Sequence, residues 1–120
     1  MNELRLGVIE AKFADIIWQN APISTSSLIK LCEKEFGWKR TTTYTVLKRL
    51  SERGIFKNDG GCVTCLMSKE EFYSLQSEKV VKESFGGSLP AFIAAFTSRQ
   101  ELDEGEIAEI RAIIDNMKRK

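Results

Sequence analysis

Leu6, Ile9, Phe13, Ile16 and Ile17 fall at spacings of three and four, which predicts an amphipathic helix over 6–19, extended by Trp18. Asn20-Ala21-Pro22 ends it, because a proline disfavours helical backbone at the residue before it. Ile23 then suits a very short strand. The hydroxyls of Ser24 to Ser27 offer N-caps to a second helix over about 26–36. That helix carries Leu28, Leu31, Cys32 and Phe36 on one face and stops at Gly37. The next stretch conflicts with itself. Four threonines in the five positions 41–45 favour a strand. Val46, Leu47 and Leu50 are nevertheless helix-spaced and Gly54 is a good C-terminal stop, so the reading is a helix over 40–53. Ile55-Phe56-Lys57 and Cys62 to Leu66, joined by a four-residue loop Asn58-Asp59-Gly60-Gly61, read as a hairpin.

Three helices are expected in the remainder. Ser68 and Glu71 form a capping box that opens the first, which carries Phe72, Leu75, Val80 and Val81 and ends at Gly86-Gly87. Ser88 caps a short, very apolar second helix with Pro90 in its first turn. Asp103 and Glu106 open the last, where Ile107, Ile110, Ile114 and Met117 make a seam. Leu89, Phe92, Ile93 and Phe96 together with that seam leave too much apolar surface for exposed helices. They either fold back on the chain's own first half or cover each other in a homodimer, and the homodimer is the simpler solution.

Helix, short strand, helix, helix and ribbon is the element order of a winged helix-turn-helix domain. The fold class is therefore mainly α with a small β-hairpin wing. Residues 1–67 form the winged helix-turn-helix, and residues 68–120 form a three-helix dimerisation domain. In this fold the third helix enters the DNA major groove, and the wing reaches along the backbone.

Composition narrows the chemistry. The chain has 120 residues with 18 Lys plus Arg, 17 Asp plus Glu, three cysteines and no histidine. No apolar run is long enough to span a bilayer, and no basic start precedes an apolar leader, so a cytoplasmic protein without membrane insertion is expected. Lacking histidine, it has no Ser-His-Asp or Cys-His catalysis, no His-ligated zinc and no imidazole pH switch. There is no Gly-rich phosphate loop after a strand either, so neither enzyme activity nor a cofactor is expected. Cys62 and Cys65 are a C-x-x-C placed on a strand, where residues three apart face opposite ways, so packing is favoured over a metal or redox pair. Cys32 belongs to the core face of its helix.

The near-neutral total hides an uneven distribution. Residues 1–68 carry ten bases and seven acids, and residues 69–120 carry eight and ten. Between 39 and 57 six bases face one acid, Glu52. Lys39, Arg40, Lys48, Arg49 and Lys57 are candidate phosphate contacts for double-stranded DNA, alongside the Thr41, Thr42 and Thr45 hydroxyls; Tyr44 is a candidate base or sugar contact. The competing reading of this patch is a solvated helix face, in a winged helix that recognises protein and not DNA. Trp38, just ahead of the helix, is read as packing against the second helix.

Ala21-Pro22-Ile23-Ser24-Thr25-Ser26-Ser27-Leu28, then Trp38-Lys39-Arg40-Thr41-Thr42-Thr43-Tyr44-Thr45-Val46-Leu47-Lys48-Arg49-Leu50 and Glu52-Arg53-Gly54-Ile55, resemble the penicillinase-repressor family (BlaI/MecI/CopY). The resemblance extends through Phe85-Gly86-Gly87-Ser88-Leu89, Phe92-Ile93, Phe96 and Glu101-Leu102. It implies a homodimeric repressor whose winged helices hold the two halves of an inverted-repeat operator while the C-terminal helices intertwine. In resistance members it also implies a membrane sensor-transducer and proteolytic release; the matching bond is Ala95-Phe96. The chain departs from the family pattern in four places. Ala95 stands where a polar residue is usual, and Val63 and Cys65 stand where wing tyrosines are common. The wing tip lacks arginine, and the tail lacks the paired Cys-x-Cys of the copper-responsive branch.

Overall fold

A computed structural model describes residues 6–118, so the outermost residues of both expected domains, 1–5 and 119–120, lie outside the described part. The elements in chain order are α1 (Val8–Asn20), β1 (Ile23–Ser24), α2 (Thr25–Phe36), α3 (Arg40–Glu52), β2 (Phe56–Asp59), β3 (Cys62–Cys65), α4 (Lys69–Ser84), α5 (Leu89–Thr97) and α6 (Glu104–Lys118). They form two compact units that divide between Glu78 and Lys79, inside α4.

In the first unit the caps set the helix ends. Glu10, three residues into α1, accepts the backbone N–H of Gly7 at 3.2 Å. Ser24 caps α2 by accepting the Ser27 N–H at 3.1 Å, and Gly37 closes that helix in the left-handed region with φ 68°. The helical spacing prevails over threonine propensity in α3. Thr43, Val46, Leu47 and Leu50 are buried on one face, while the Thr45 hydroxyl bonds back to the Thr41 carbonyl at 2.9 Å.

The sheet has the order β1-β3-β2 and is antiparallel throughout, with Ile23 opposite Val63 and Phe56 opposite Cys65. Its hairpin is tighter than the four-residue loop expected. Asn58 and Asp59 stay in β2, Asp59 pairs with Cys62, and Gly60-Gly61 alone make the turn, with φ 59° and 91°. Two consecutive positive φ values match the twist of the flanking strands, and glycine adopts them without a Cβ clash.

The core joins Phe13, Ala14 and Ile17 of α1 to Leu28 and Cys32, to the α3 face, to Ile55, Phe56 and Val63 of the wing, and to Phe72 of α4. Most of the stripe expected on the first helix faces this core: Phe13 and Ile17 are buried, and Leu6, Ile16 and Trp18 pack against it. Glu10, Phe13, Ala14 and Ile17 point inward, whereas Ile9 is 49% exposed. Trp18 packs on Phe56, Phe72 and Tyr73 at ring-centroid distances of 5.5, 5.8 and 6.0 Å, and its Nε1 donates to the Met67 carbonyl at 3.0 Å. Lys69 adds an ion pair to Asp15 at 2.9 Å.

The second unit holds the end of α4 with α5 and α6. Gly86 and Gly87, at φ 57° and 83°, turn the chain out of α4, and Ser88 caps α5 by accepting the Ala91 N–H at 3.1 Å. Phe85 and Phe92 meet edge to face at 5.4 Å. None of the described residues from Lys79 to Met117 is buried.

Phe56→Ala removes a fully buried ring that Trp18 packs against. It is expected to cost about 3–5 kcal/mol, a large part of the stability of a small domain. Urea unfolding followed by Trp fluorescence measures this as a lowered midpoint.

Candidate nucleic-acid interface

The residues of α3 divide by helical spacing into two opposite faces. Thr43, Val46, Leu47 and Leu50 turn inward. Thr41, Tyr44, Thr45 and Lys48, again at three, four and seven, are all exposed on the opposite side. Arg40 flanks this strip next to Tyr44, with its guanidinium 5.7 Å above the phenol ring. Thr42 and Arg49 flank the other side. Lys39 is the N-cap residue of α3, with no side-chain bond to the helix. The N–H groups of the first turn therefore open beside a base, an arrangement suited to an anion such as phosphate.

Two of the bases expected to touch phosphate lie beside acids in this structure. Arg49 donates to Glu10 Oε2 at 2.9 Å, with Arg53 3.9 Å from the other carboxylate oxygen. Lys57, on the wing, lies 4.0 Å from Asp59. Lys39 and Lys48 make no ion pair among the described residues. Burial raises the Glu10 pKa, but the Arg49 hydrogen bond, the Gly7 N–H and the charges of Arg53 and Arg49 outweigh it, so the carboxyl titrates below its ordinary range. The Tyr44 phenol is lowered from its ordinary pKa by side-chain hydrogen bonding with Thr25 first and Arg40 next. Thr25 opens α2 and also donates its N–H to the Gly61 carbonyl at 2.9 Å. The sequence offered Thr25 only as one cap hydroxyl among several, so this residue was missed.

Trp38 packs between Phe13 and Phe36, at 5.7 and 4.8 Å, on the inner side of α3. Cys32 is buried, and burial raises its thiol pKa, partly offset by the Thr43 hydroxyl. Cys62 and Cys65 are exposed free thiols, and the partial burial of Cys65 raises its pKa. Among the described residues no cluster of three Cys, Asp or Glu could hold a metal ion. No helix there is long and apolar enough to cross a membrane.

In the second unit Leu89, Phe96, Ile114 and Met117 are 53, 50, 44 and 67% exposed, and Phe92, Ile93, Ile107 and Ile110 are half-buried. Ile113, 61% exposed, extends the same seam and was missed because it breaks the three-four-three count. Ala95 and Phe96 both lie exposed within α5.

A sequence profile of the family described as penicillinase repressor matches residues 6–116. The chain is 21% identical over 122 residues to the penicillinase repressor of Staphylococcus aureus, covering 98% of this chain and 97% of that protein. It is 22% identical over 110 residues to the methicillin resistance regulatory protein MecI of Mammaliicoccus sciuri, covering 88% of this chain and 89% of that one. The same figures hold for MecI of Staphylococcus epidermidis.

A carboxyl with a depressed folded-state pKa contributes stability that is complete above its unfolded value and is lost as pH falls through the folded one. Stability should therefore drop below about pH 4.5, the ordinary value for Glu10, and Glu10→Gln should remove its share of that drop. Arg49 is half exposed, which keeps that share under about 1 kcal/mol. Comparing the pH dependence of the unfolding midpoint in the two proteins checks both the direction and the window.

Proposed function

The chain belongs to the penicillinase repressor family, and on that premise we propose that it is a dimeric transcriptional repressor that binds an inverted-repeat operator. The observation that carries this reading is the exposed strip of α3, opposite its buried face and ringed by Lys39, Arg40 and Arg49. Laid in a major groove, that strip puts Thr41, Thr42, Tyr44 and Thr45 toward base edges or sugars. Lys39, Arg40 and Lys48 then reach the flanking phosphates. Arg49 and Lys57 bind phosphate only by exchanging Glu10 and Asp59 for it.

The uncovered seams of α5 and α6 supply the dimer contact. Leu89, Phe92, Ile93 and Phe96 with Ile107, Ile110, Ile114 and Met117 bury themselves against the same surfaces of a second copy, and the resulting two-fold matches a palindromic operator. Release follows from the same placement. The Ala95-Phe96 bond sits inside a nine-residue helix, so a protease, activated by a membrane sensor-transducer, cuts it only where α5 unwinds. Cutting there removes part of the dimer seam.

Titration of a palindromic duplex at several salt concentrations tests the DNA reading. Log affinity should fall linearly with log salt, and Lys48→Ala should weaken binding to all sequences alike while flattening the slope by about one. Binding that is absent at low salt, or indifferent to salt, would exclude operator recognition and leave a protein-interaction module. Ile114→Glu tests the dimer. Sedimentation should show a shift to monomer and the operator affinity should fall, with the circular dichroism of the winged helix unchanged.

A further inference from the structure

Glu10 faces two guanidiniums at the edge of the α3 strip. Its Oε2 accepts from Arg49 Nη1 at 2.9 Å. Its Oε1 accepts the Gly7 N–H at 3.2 Å and lies 3.9 Å from Arg53 Nη1. Exposure rises outward through this cluster: the Glu10 and Arg53 side chains are 17 and 23% exposed, whereas Arg49 is 50% exposed. Thr42, Thr45 and Arg49 follow one another at three and four along α3 and are all exposed, so the cluster opens on the flank of the reading strip.

A phosphate has the same claim on this place as the carboxylate that fills it. A guanidinium presents its N–H groups as a fork that fits two oxygens of either group. Glu10 differs in being tethered. It is the third residue of α1, tied to the N–H that precedes the helix, so it cannot leave the cluster as a free ion does. A phosphate that reaches Arg49 has to displace this carboxylate and then meets it close by as a like charge.

We propose that Arg49 and Arg53 form a site for one phosphate of the DNA backbone, and that Glu10 keeps it filled and thereby holds DNA affinity down. The proposal rests on the operator reading above. Because backbone phosphates carry no sequence information, the restraint acts on all sequences alike and leaves base preference untouched.

The test pairs DNA titration with a measurement that needs no DNA. The full chain and its Glu10→Gln, Glu10→Gln/Arg49→Ala and Glu70→Gln variants are titrated with a mixed-sequence duplex and a palindromic duplex at several salt concentrations. Glutamine keeps an oxygen for the Gly7 N–H, so α1 retains its cap while the charge is gone. Glu70, exposed in the first turn of α4 beside Lys69 and Cys65, gives the same change of net charge outside the cluster. Glu10→Gln should bind both duplexes about three- to tenfold tighter at low salt, with a salt slope steeper by about one per winged helix. Adding Arg49→Ala should remove the gain and the extra slope, and Glu70→Gln should give neither. Weaker or unchanged binding by Glu10→Gln overturns the proposal and makes Glu10 a support for Arg49. A gain that Glu70→Gln matches, or that survives Arg49→Ala, overturns it as well.

The same proteins are melted near neutral pH in inorganic phosphate and in sodium chloride of equal ionic strength. An open site stabilises the fold by binding phosphate. Phosphate should therefore raise the melting temperature of Glu10→Gln more than that of the unsubstituted chain or of Glu10→Gln/Arg49→Ala, and an equal response in all three overturns the site. If no protein binds either duplex at the lowest salt, the operator reading and the restraint on affinity both fall, and the melts alone decide whether Glu10 fills a phosphate site.

Discussion

Trp18 is the constraint on which the arrangement of the first unit depends. From the last turns of α1 its ring meets Phe56 of the wing and Phe72 and Tyr73 of α4, and its indole N–H fixes the carbonyl of Met67 between them. A large ring with one polar edge suits that place, because its faces bury apolar area while the edge satisfies a backbone acceptor. The wing is only two four-residue strands and a two-residue β1, too little sheet to be stable alone. Packing Phe56 under Trp18 makes it an extension of the helical core and holds it at a set distance from α3.

Much of this was legible in the sequence because it is written locally. Helix ends are set by caps within four residues, as at Ser24 with Ser27, Ser68 with Glu71 and Asp103 with Glu106, so a linear reading finds them. The identity of α3 was legible for a different reason: three buried apolar residues outweigh the propensity of exposed threonines. What escaped was set by partners far along the chain. Glu10 and Arg49 are 39 residues apart, and nothing in either neighbourhood announces the other. The α1 face was read incompletely for the same reason. Ala14 is small and Glu10 is charged, so neither counts in an apolar pattern, yet both point inward, one toward close packing and the other toward Arg49 and Arg53.

The two flanks of the α3 strip are held by different physics. On the Arg49 side the contact is an ion pair to α1, in which a carboxylate occupies the place a phosphate would take. On the Arg40 side the guanidinium lies 5.7 Å over the Tyr44 ring, and the nearby start of α2 is tied to the wing turn by the 2.9 Å bond from the Thr25 N–H to the Gly61 carbonyl. Ion pairs yield to salt and to a competing anion, whereas hydrogen-bonded side chains keep their orientation. In the proposed complex the first flank would thus be suited to adjustable affinity.

In the proposed repressor this division bears on what a dimer would contribute. Glu10 and Asp59 already pair with Arg49 and Lys57, so in the proposed complex phosphate contacts by those bases would return only the difference between two similar pairings. In the proposed complex Lys39, Arg40 and Lys48 would then provide most of the counterion release of one winged helix, and three such contacts would confer weak binding at physiological salt. Joining two such units through the apolar seams of α5 and α6 changes the arithmetic without adding a charge. The second half-site is then met at the high effective concentration set by the dimer, which can raise the combined affinity by about 10²–10⁴. In that proposal weak single units would also make release efficient, because separating the two copies would forfeit the gain at once. In the proposed complex the exposed Leu89, Phe96, Ile114 and Met117 govern operator affinity as strongly as any base on α3 does.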